Sequence, residues 1–256
     1  MKFIMLGSGA SSGVPRIGGD WGECDPSNPR NRRRRVSVLV EAGSTRILVD
    51  SGPDLREQLL DAKVGRLTAV LYTHDHADHC HGIDDLRAFF HASGTEIDCY
   101  MDAATRASLL TRFSYVFAGR AGYPPIARAH LLPDELRLGD ILVRPFRQQH
   151  GAENSTGFRF EADGKAIAYS TDTSGFPRES LSMLSNLDLW IVDALRRNPH
   201  PTHSHLSQTL EWIRNAKPAE AWLTHMDKSM DHDSLLAELP DGVSPGYDGR
   251  IWEGYA

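Results

Sequence analysis

The chain is short of cysteine and of long apolar runs, and each shortage excludes a class of protein. Only Cys24, Cys80 and Cys99 occur in 256 residues. They are odd in number and widely spaced, so no disulfide framework holds the fold, and a reducing, cytoplasmic setting is expected. No stretch approaches the ~20 apolar residues of a membrane span, and the apolar start at Met1–Leu6 is too short for a secretion signal; no membrane partner is expected. Basic excess is also missing: 28 Lys and Arg stand against 34 Asp and Glu, a net charge of −6. This argues against broad electrostatic binding of nucleic acid. It leaves room for a small anionic substrate beside bound metals. No GxGxxG and no P-loop lysine follow the first strand. No Pro/Ser linker, low-complexity segment or short-period repeat divides the chain, so residues 1–256 read as one domain.

Histidine is abundant, with 12 copies, and its placement is informative. The apolar run Leu67–Tyr72 reads as a buried strand. It leads into Thr73-His74-Asp75-His76-Ala77-Asp78-His79, five imidazole or carboxylate groups in seven residues, the donors preferred by zinc and similar divalent ions. Later predicted strands, Asp140–Gln148, Lys165–Ser170 and Ala219–Leu223, run into His150, Asp172 and His225. Strands lying side by side would bring these ends to one sheet edge, where open α/β sheets hold ligands. His91, His130 and His200 read as surface or satisfied core residues.

Hairpins are predicted at Val36–Asp50 and at Thr156–Ser170, the second through Asp163-Gly164. Helices are predicted from Pro53 to about Ala62, over Asp84–Ala92 and Ala103–Phe117, from Ser207 (as N-cap) to Ala216, and over His232–Leu239. Gly119–Pro133 reads as a loop able to cover a site. Apolar residues on Leu109–Phe117 suit either a core or a homodimer face. The turn Gly7–Pro15 can present backbone N–H groups to an anion. In the basic run Arg30–Arg35, one or two arginines at most could contact phosphate, the others being solvated.

The series Thr73-His74-x-His76-x-Asp78-His79, His150, Asp172, His225 resembles the ligand series of the metallo-β-lactamase superfamily across nearly the whole chain. The resemblance implies an α/β fold, an αββα sandwich of two mixed β-sheets with helices on the outer faces. It also implies two metal ions at one edge: His74, His76 and His150 on one, Asp78, His79 and His225 on the other, Asp172 bridging. An aspartate bridge suits zinc and also accepts manganese or iron. Two divalent cations lower the pKa of a trapped water towards ~7 and stabilise charge on an ester oxygen, which is hydrolytic chemistry. Asp75, and behind it Asp50, are candidates for orienting a ligating imidazole.

Outside the ligands, the opening Leu6–Pro15, the Asn31-Arg-Arg stretch and Ser170–Gly175 resemble the phosphodiesterase branch, which includes tRNase Z and the PhnP-type phosphodiesterases. The long tRNA-holding arm of tRNase Z has no counterpart here and the chain is acidic, so tRNA is not the expected partner. The expected substrate is a small phosphate ester, a nucleotide or a ribose cyclic phosphate. Where PhnP-type proteins carry a zinc-binding cysteine cluster, this chain keeps only Cys24, and packing of Trp21 is expected to hold the loop instead. The family also places a general-acid histidine just before a late helix; His203 fits the PhnP-type spacing and His205 the tRNase Z spacing, with His203 favoured. Asp172, His203 and His205 are thus the catalytic candidates. The alternatives are a thioesterase or lactonase, and a non-catalytic anion-binding member of the superfamily.

Overall fold

The computed structural model describes residues 1–254. Two seven-stranded sheets make up the centre. The strands of the first are β1 (Lys2–Gly7), β2 (Ser37–Ala42), β3 (Thr45–Val49), β4 (Ala69–Leu71), β5 (Ile97–Met101) and β6 (Ala127–Leu131). Those of the second are β7 (Leu136–Leu138), β8 (Ile141–His150), β9 (Glu153–Ala162), β10 (Lys165–Ser170), β11 (Leu189–Asp193), β12 (Glu220–Thr224) and β13 (Val243–Pro245). Strand β14 (Ile251–Glu253) returns to pair with β1. The orders are β14-β1-β2-β3-β4-β5-β6 and β13-β12-β11-β10-β9-β8-β7.

Successive side chains of a strand point to opposite faces, and here both faces are covered. Phe3, Met5, Val38, Val40, Ile47 and Val49 of the first sheet meet Val143, Phe158, Phe160, Ile167, Tyr169 and Ile191 of the second. The alternate residues Ile4, Leu39, Leu48 and Val70 face outward. They lie under helices α1 (Leu55–Asp61), α3 (Arg87–Ser93), α4 (Ala103–Arg112) and α5 (Ser114–Ala118); α2 (Ala77–Cys80) is a single turn inside the histidine motif. Ala168, Trp190, Val192 and Leu223 face outward from the second sheet, under α6 (Leu206–Ala216), α7 (His232–Glu238) and a 3-10 segment, Arg178–Leu184. Double-sided burial explains why the parallel strands read as continuous apolar runs.

Several local expectations are revised. Ala103–Phe117 is two helices broken at Phe113, and Leu109 and Val116 are fully buried in the core beneath the first sheet. The segment Gly119–Pro133 contains strand β6, which pairs with β5; fixed φ/ψ and a partner strand take the five residues Ala127–Leu131 out of the loop class. Helix α6 is capped at His205 rather than Ser207. The turn at Asp163-Gly164 is as read, with both residues at positive φ, 54° and 69°, the backbone a two-residue hairpin needs.

Strands β3, β4, β5 and β6 run parallel, as do β10, β11, β12 and β13; β8 shares that direction because two antiparallel pairings separate it from β10. The C-terminal ends of β3, β4, β8, β10, β11 and β12 therefore deliver Asp50, Thr73–His79, His150, Asp172, Asp193 and His225. At this edge the Thr156 N–H donates to the Thr73 carbonyl at 2.8 Å and joins the sheets.

Candidate metal centre

Two groups of side chains converge there: His74, His76, His150 and Asp172, and Asp78, His79, Asp172 and His225; within each, the donor atoms lie within 4.8 Å of one another. Asp172 belongs to both. Its Oδ2 stands 3.8 Å from His74 Nε2 and from His150 Nε2, while its Oδ1 stands 3.1 Å from His79 Nε2 and 3.4 Å from His225 Nε2. Asp78 Oδ2 completes the second group, 3.4 Å from His79 Nε2 and 3.6 Å from His225 Nε2.

The other ring nitrogens are anchored from behind. Asp50 Oδ2 lies 2.8 Å from His79 Nδ1 and accepts from the Thr73 hydroxyl at 2.8 Å. Having given its proton to Asp50, that hydroxyl can only accept from His74 Nδ1, 3.0 Å away. The Thr202 carbonyl accepts from His150 Nδ1 at 2.8 Å. All three rings carry their proton on Nδ1, and their Nε2 lone pairs face the cluster. His76 presents Nδ1, 3.4 Å from His150 Nε2. Among the described residues, the Nε2 atoms of His74, His79 and His225 are buried without a hydrogen-bond partner, an arrangement that costs free energy and that a cation would relieve. Electrostatics agree. Burial opposes charge on His79, yet Asp172, Asp78 and Asp50 outweigh it and favour positive charge there, which a cation beside the Nε2 lone pair would supply. Burial also holds the His74 imidazole neutral. Imidazole and carboxylate donors of this kind fit a divalent metal, and each group could hold one ion.

Asp50, Asp172 and His225 all have left-handed backbone, φ 62°, 49° and 56°. Non-glycine residues adopt it at a cost of roughly 1–3 kcal/mol; here it turns the chain at the strand end so that the side chain enters the site.

A third group joins Asp193, His203 and His225. Burial opposes a charged His203, but the Asp193 carboxylate, with help from Asp172, outweighs it and pushes the ring up to about 9. Its Nε2 faces Asp172 Oδ2 at 3.8 Å, and its ring stacks on His225 with centroids 4.6 Å apart. His205 lies at the start of α6 and is in none of the three groups. Asp193 was not singled out from sequence, although it ends its strand as Asp172 and His225 follow theirs. Asp75 does not orient an imidazole: its carboxylate accepts from Ser108 and Arg112 of α4, and Asp50 performs that role. His81 takes a bond from Arg112 at 2.7 Å on the rim. His200 is part-buried, its ring 5.1 Å from that of His203.

Most of the arginine run acts as a brace. Arg30 lies over the Tyr247 ring and Arg32 over Trp21; Arg34 pairs with Asp61 at 2.6 Å. Arg33 is buried and donates to the Met230 carbonyl at 2.6 Å and the Asp227 carbonyl at 3.3 Å, with Cys24 Sγ at 3.8 Å. The loop expected to be held by packing of Trp21 is tied down by several contacts: Arg32 over Trp21, the Glu23 N–H donating to the Lys228 carbonyl at 2.9 Å, the Lys228–Asp20 ion pair, and Arg33 beside Cys24.

The family described as beta-lactamase superfamily domain matches residues 45–226, a span enclosing every member of both groups. An octanoyltransferase from Porphyromonas gingivalis is 34% identical over 97% of this chain and 51% of its own length. A ribonuclease Z from Bradyrhizobium sp. is 30% identical over 52% of this chain and 46% of its own. The chain spans about half the length of these curated relatives. Among solved structures, a diphosphatase of the PhnP family superposes with a TM-score of 0.90 at 34% identity, covering 98% of this chain and 96% of that one. Zinc-bound PqqB from Methylobacterium extorquens shares the fold, with a TM-score of 0.77 at 18% identity over 99% and 100% of the two chains. With two packed mixed sheets, a His/Asp edge and a family match over residues 45–226, the chain belongs to the metallo-β-lactamase superfamily.

Proposed function

We propose that this protein is a dinuclear metal-dependent phosphodiesterase acting on a small phosphate ester, a nucleotide or a ribose cyclic phosphate. The observation that carries the reading is one carboxylate, Asp172, shared by two complete sets of donors. His74, His76, His150 and Asp172 would hold one ion and Asp78, His79, His225 and Asp172 the other, with zinc or manganese suited to the mixed donor set. Bound divalent ions supply an activated water and positive charge for phosphoryl oxygens. The chain's own residues do the rest. Asp50 and Thr202 fix the tautomers of His79 and His150. Asp193 holds the Nδ1 proton of His203 at 2.9 Å, so a second proton on Nε2 faces the site and passes to the leaving oxygen. General-acid work of this kind is worth ~10²–10⁴-fold. The 34% identity to a PhnP-family diphosphatase supports the phosphate substrate.

A second reading, hydrolysis of an acyl ester or thioester, draws support from the relative named octanoyltransferase; that name belongs to a protein about half of which lies outside the match. Metal-loaded protein assayed on bis(p-nitrophenyl) phosphate, 2′,3′-cyclic nucleotides and an octanoyl thioester separates the two. Turnover of the diesters is expected. Cleavage of the thioester alone would overturn the first reading, and no turnover on any would favour a binding protein.

A further inference from the structure

Four arginines of the basic run are spent on packing or pairing, and the fifth, Arg35, is placed differently. Asp54 Oδ2 accepts from the Arg35 backbone N–H at 2.8 Å and pairs with its Nε at 3.0 Å. This holds the guanidinium at its inner nitrogen and, among the described residues, leaves both terminal nitrogens without a hydrogen bond. A Cβ built on Gly52 would lie 3.8 Å from Arg35 Cβ and 2.2 Å from the Asp78 carbonyl, so the arginine starts beside the loop carrying Asp78. Its Nη1 ends 3.6 Å from where a Cβ on Gly13 would be.

That end lies against the turn Ala10–Gly13, stitched to the residue after His225: the Ala10 N–H donates to the Met226 carbonyl at 3.1 Å. Ser11 and Ser12 at the tip are exposed. Among the described residues nothing accepts a hydrogen bond from their N–H groups. Arg16 donates through Nε to the Ser12 hydroxyl at 3.1 Å and brings a second guanidinium to the turn. Two arginines and two amides thus gather at one turn, tied through Ala10 to Met226, the residue after His225, and through the base of Arg35 to the Gly52 loop beside Asp78. Guanidinium forks and paired amides are the groups that hold phosphate.

We propose that Arg35, with the Ser11–Ser12 amides and Arg16, forms a subsite for a second, non-reacting phosphate of the substrate, so that the enzyme prefers diphosphate-linked to simple diesters. This rests on the phosphodiesterase reading. The test compares wild type with Arg35→Ala, Arg35→Lys and, as a control, Arg34→Ala, all metal-loaded. The ratio of kcat/KM for a dinucleoside diphosphate over bis(p-nitrophenyl) phosphate should fall at least tenfold in Arg35→Ala, fall less in Arg35→Lys, and hold in Arg34→Ala. Calorimetric binding of inorganic pyrophosphate should weaken at least tenfold in Arg35→Ala. Equal losses on both substrates, or pyrophosphate binding unchanged, would overturn the subsite. If wild type cleaves no diester, the phosphodiesterase reading fails, and the pyrophosphate titration still decides whether the anion subsite exists.

Discussion

Asp193 lies directly behind His203, its Oδ2 2.9 Å from Nδ1, while the Asp193 backbone carbonyl accepts from the hydroxyls of Ser204 and Thr209, both at 2.6 Å. The strand end, the loop before α6 and α6 itself are tied to one residue, which fixes the ring that faces Asp172. Asp193→Asn should lower kcat by about 10²-fold, within the range of general-acid catalysis, with little change in KM. The loss should be larger for a 2′,3′-cyclic nucleotide, which expels an alkoxide, than for bis(p-nitrophenyl) phosphate, whose leaving group needs little protonation. Equal losses on the two substrates would remove His203 from the acid role.

Metal analysis of purified protein should give two ions per chain. Chelation should abolish turnover and lower Tm, because the buried Nε2 atoms of His74, His79 and His225 would lose the cation proposed to face them. A ligand held at 100 times its Kd stabilises by about 2.7 kcal/mol, so a shift of several degrees is expected, reversed by zinc or manganese. A single ion per chain at saturation would contradict the shared-carboxylate site.

Asp50 is fully buried and accepts from the Thr73 backbone N–H and hydroxyl while touching His79. Asparagine tolerates its left-handed backbone but turns an N–H towards one of these donors. Asp50→Asn should weaken metal binding by about 10–100-fold, as for other groups that orient ligands, measured by competition with a chromogenic chelator. Unchanged affinity would mean that the His79 tautomer is set without it.

Burial pushes the Asp248 carboxyl up to about 6, partly offset by bonds from Arg34 and Ser8. The folded value lies above the ordinary 3.8, so the native state holds this proton more tightly. The associated stability is present below about pH 4 and lost as pH rises through 6. Between pH 4 and 7 wild type should lose about 2 kcal/mol more unfolding free energy than Asp248→Asn, at 1.36 kcal/mol per pKa unit. Parallel curves from denaturant titrations would show that Asp248 ionises normally.

The convergence of His74–His79, His150, Asp172 and His225 was legible in the sequence because strand ends carry them, and a strand announces itself by its apolar run. The supporting groups were less legible. Asp50 and Asp75 are both aspartates that follow a strand of the first sheet; only three-dimensional packing shows that Asp50 faces His79 while α4 captures Asp75. Asp193 had the same strand-end signal as Asp172, but its partner His203 lies ten residues on, beyond the reach of local pattern. The Arg30–Arg35 run read as a block, although its members have five different partners. Strand β6 was hidden by the glycines and prolines around it.

If two ions bind as proposed, the sharing of Asp172 would make their sites thermodynamically inseparable. Charge that one ion withdrew from the carboxylate would be felt by the other, and coupling of this sort is reciprocal. Occupancy should therefore climb in two linked steps whose affinities belong to the pair. A preparation starved of metal would be a mixture of empty, half-filled and filled molecules, and a mutation in the His74 group would alter loading at the His225 group without touching it.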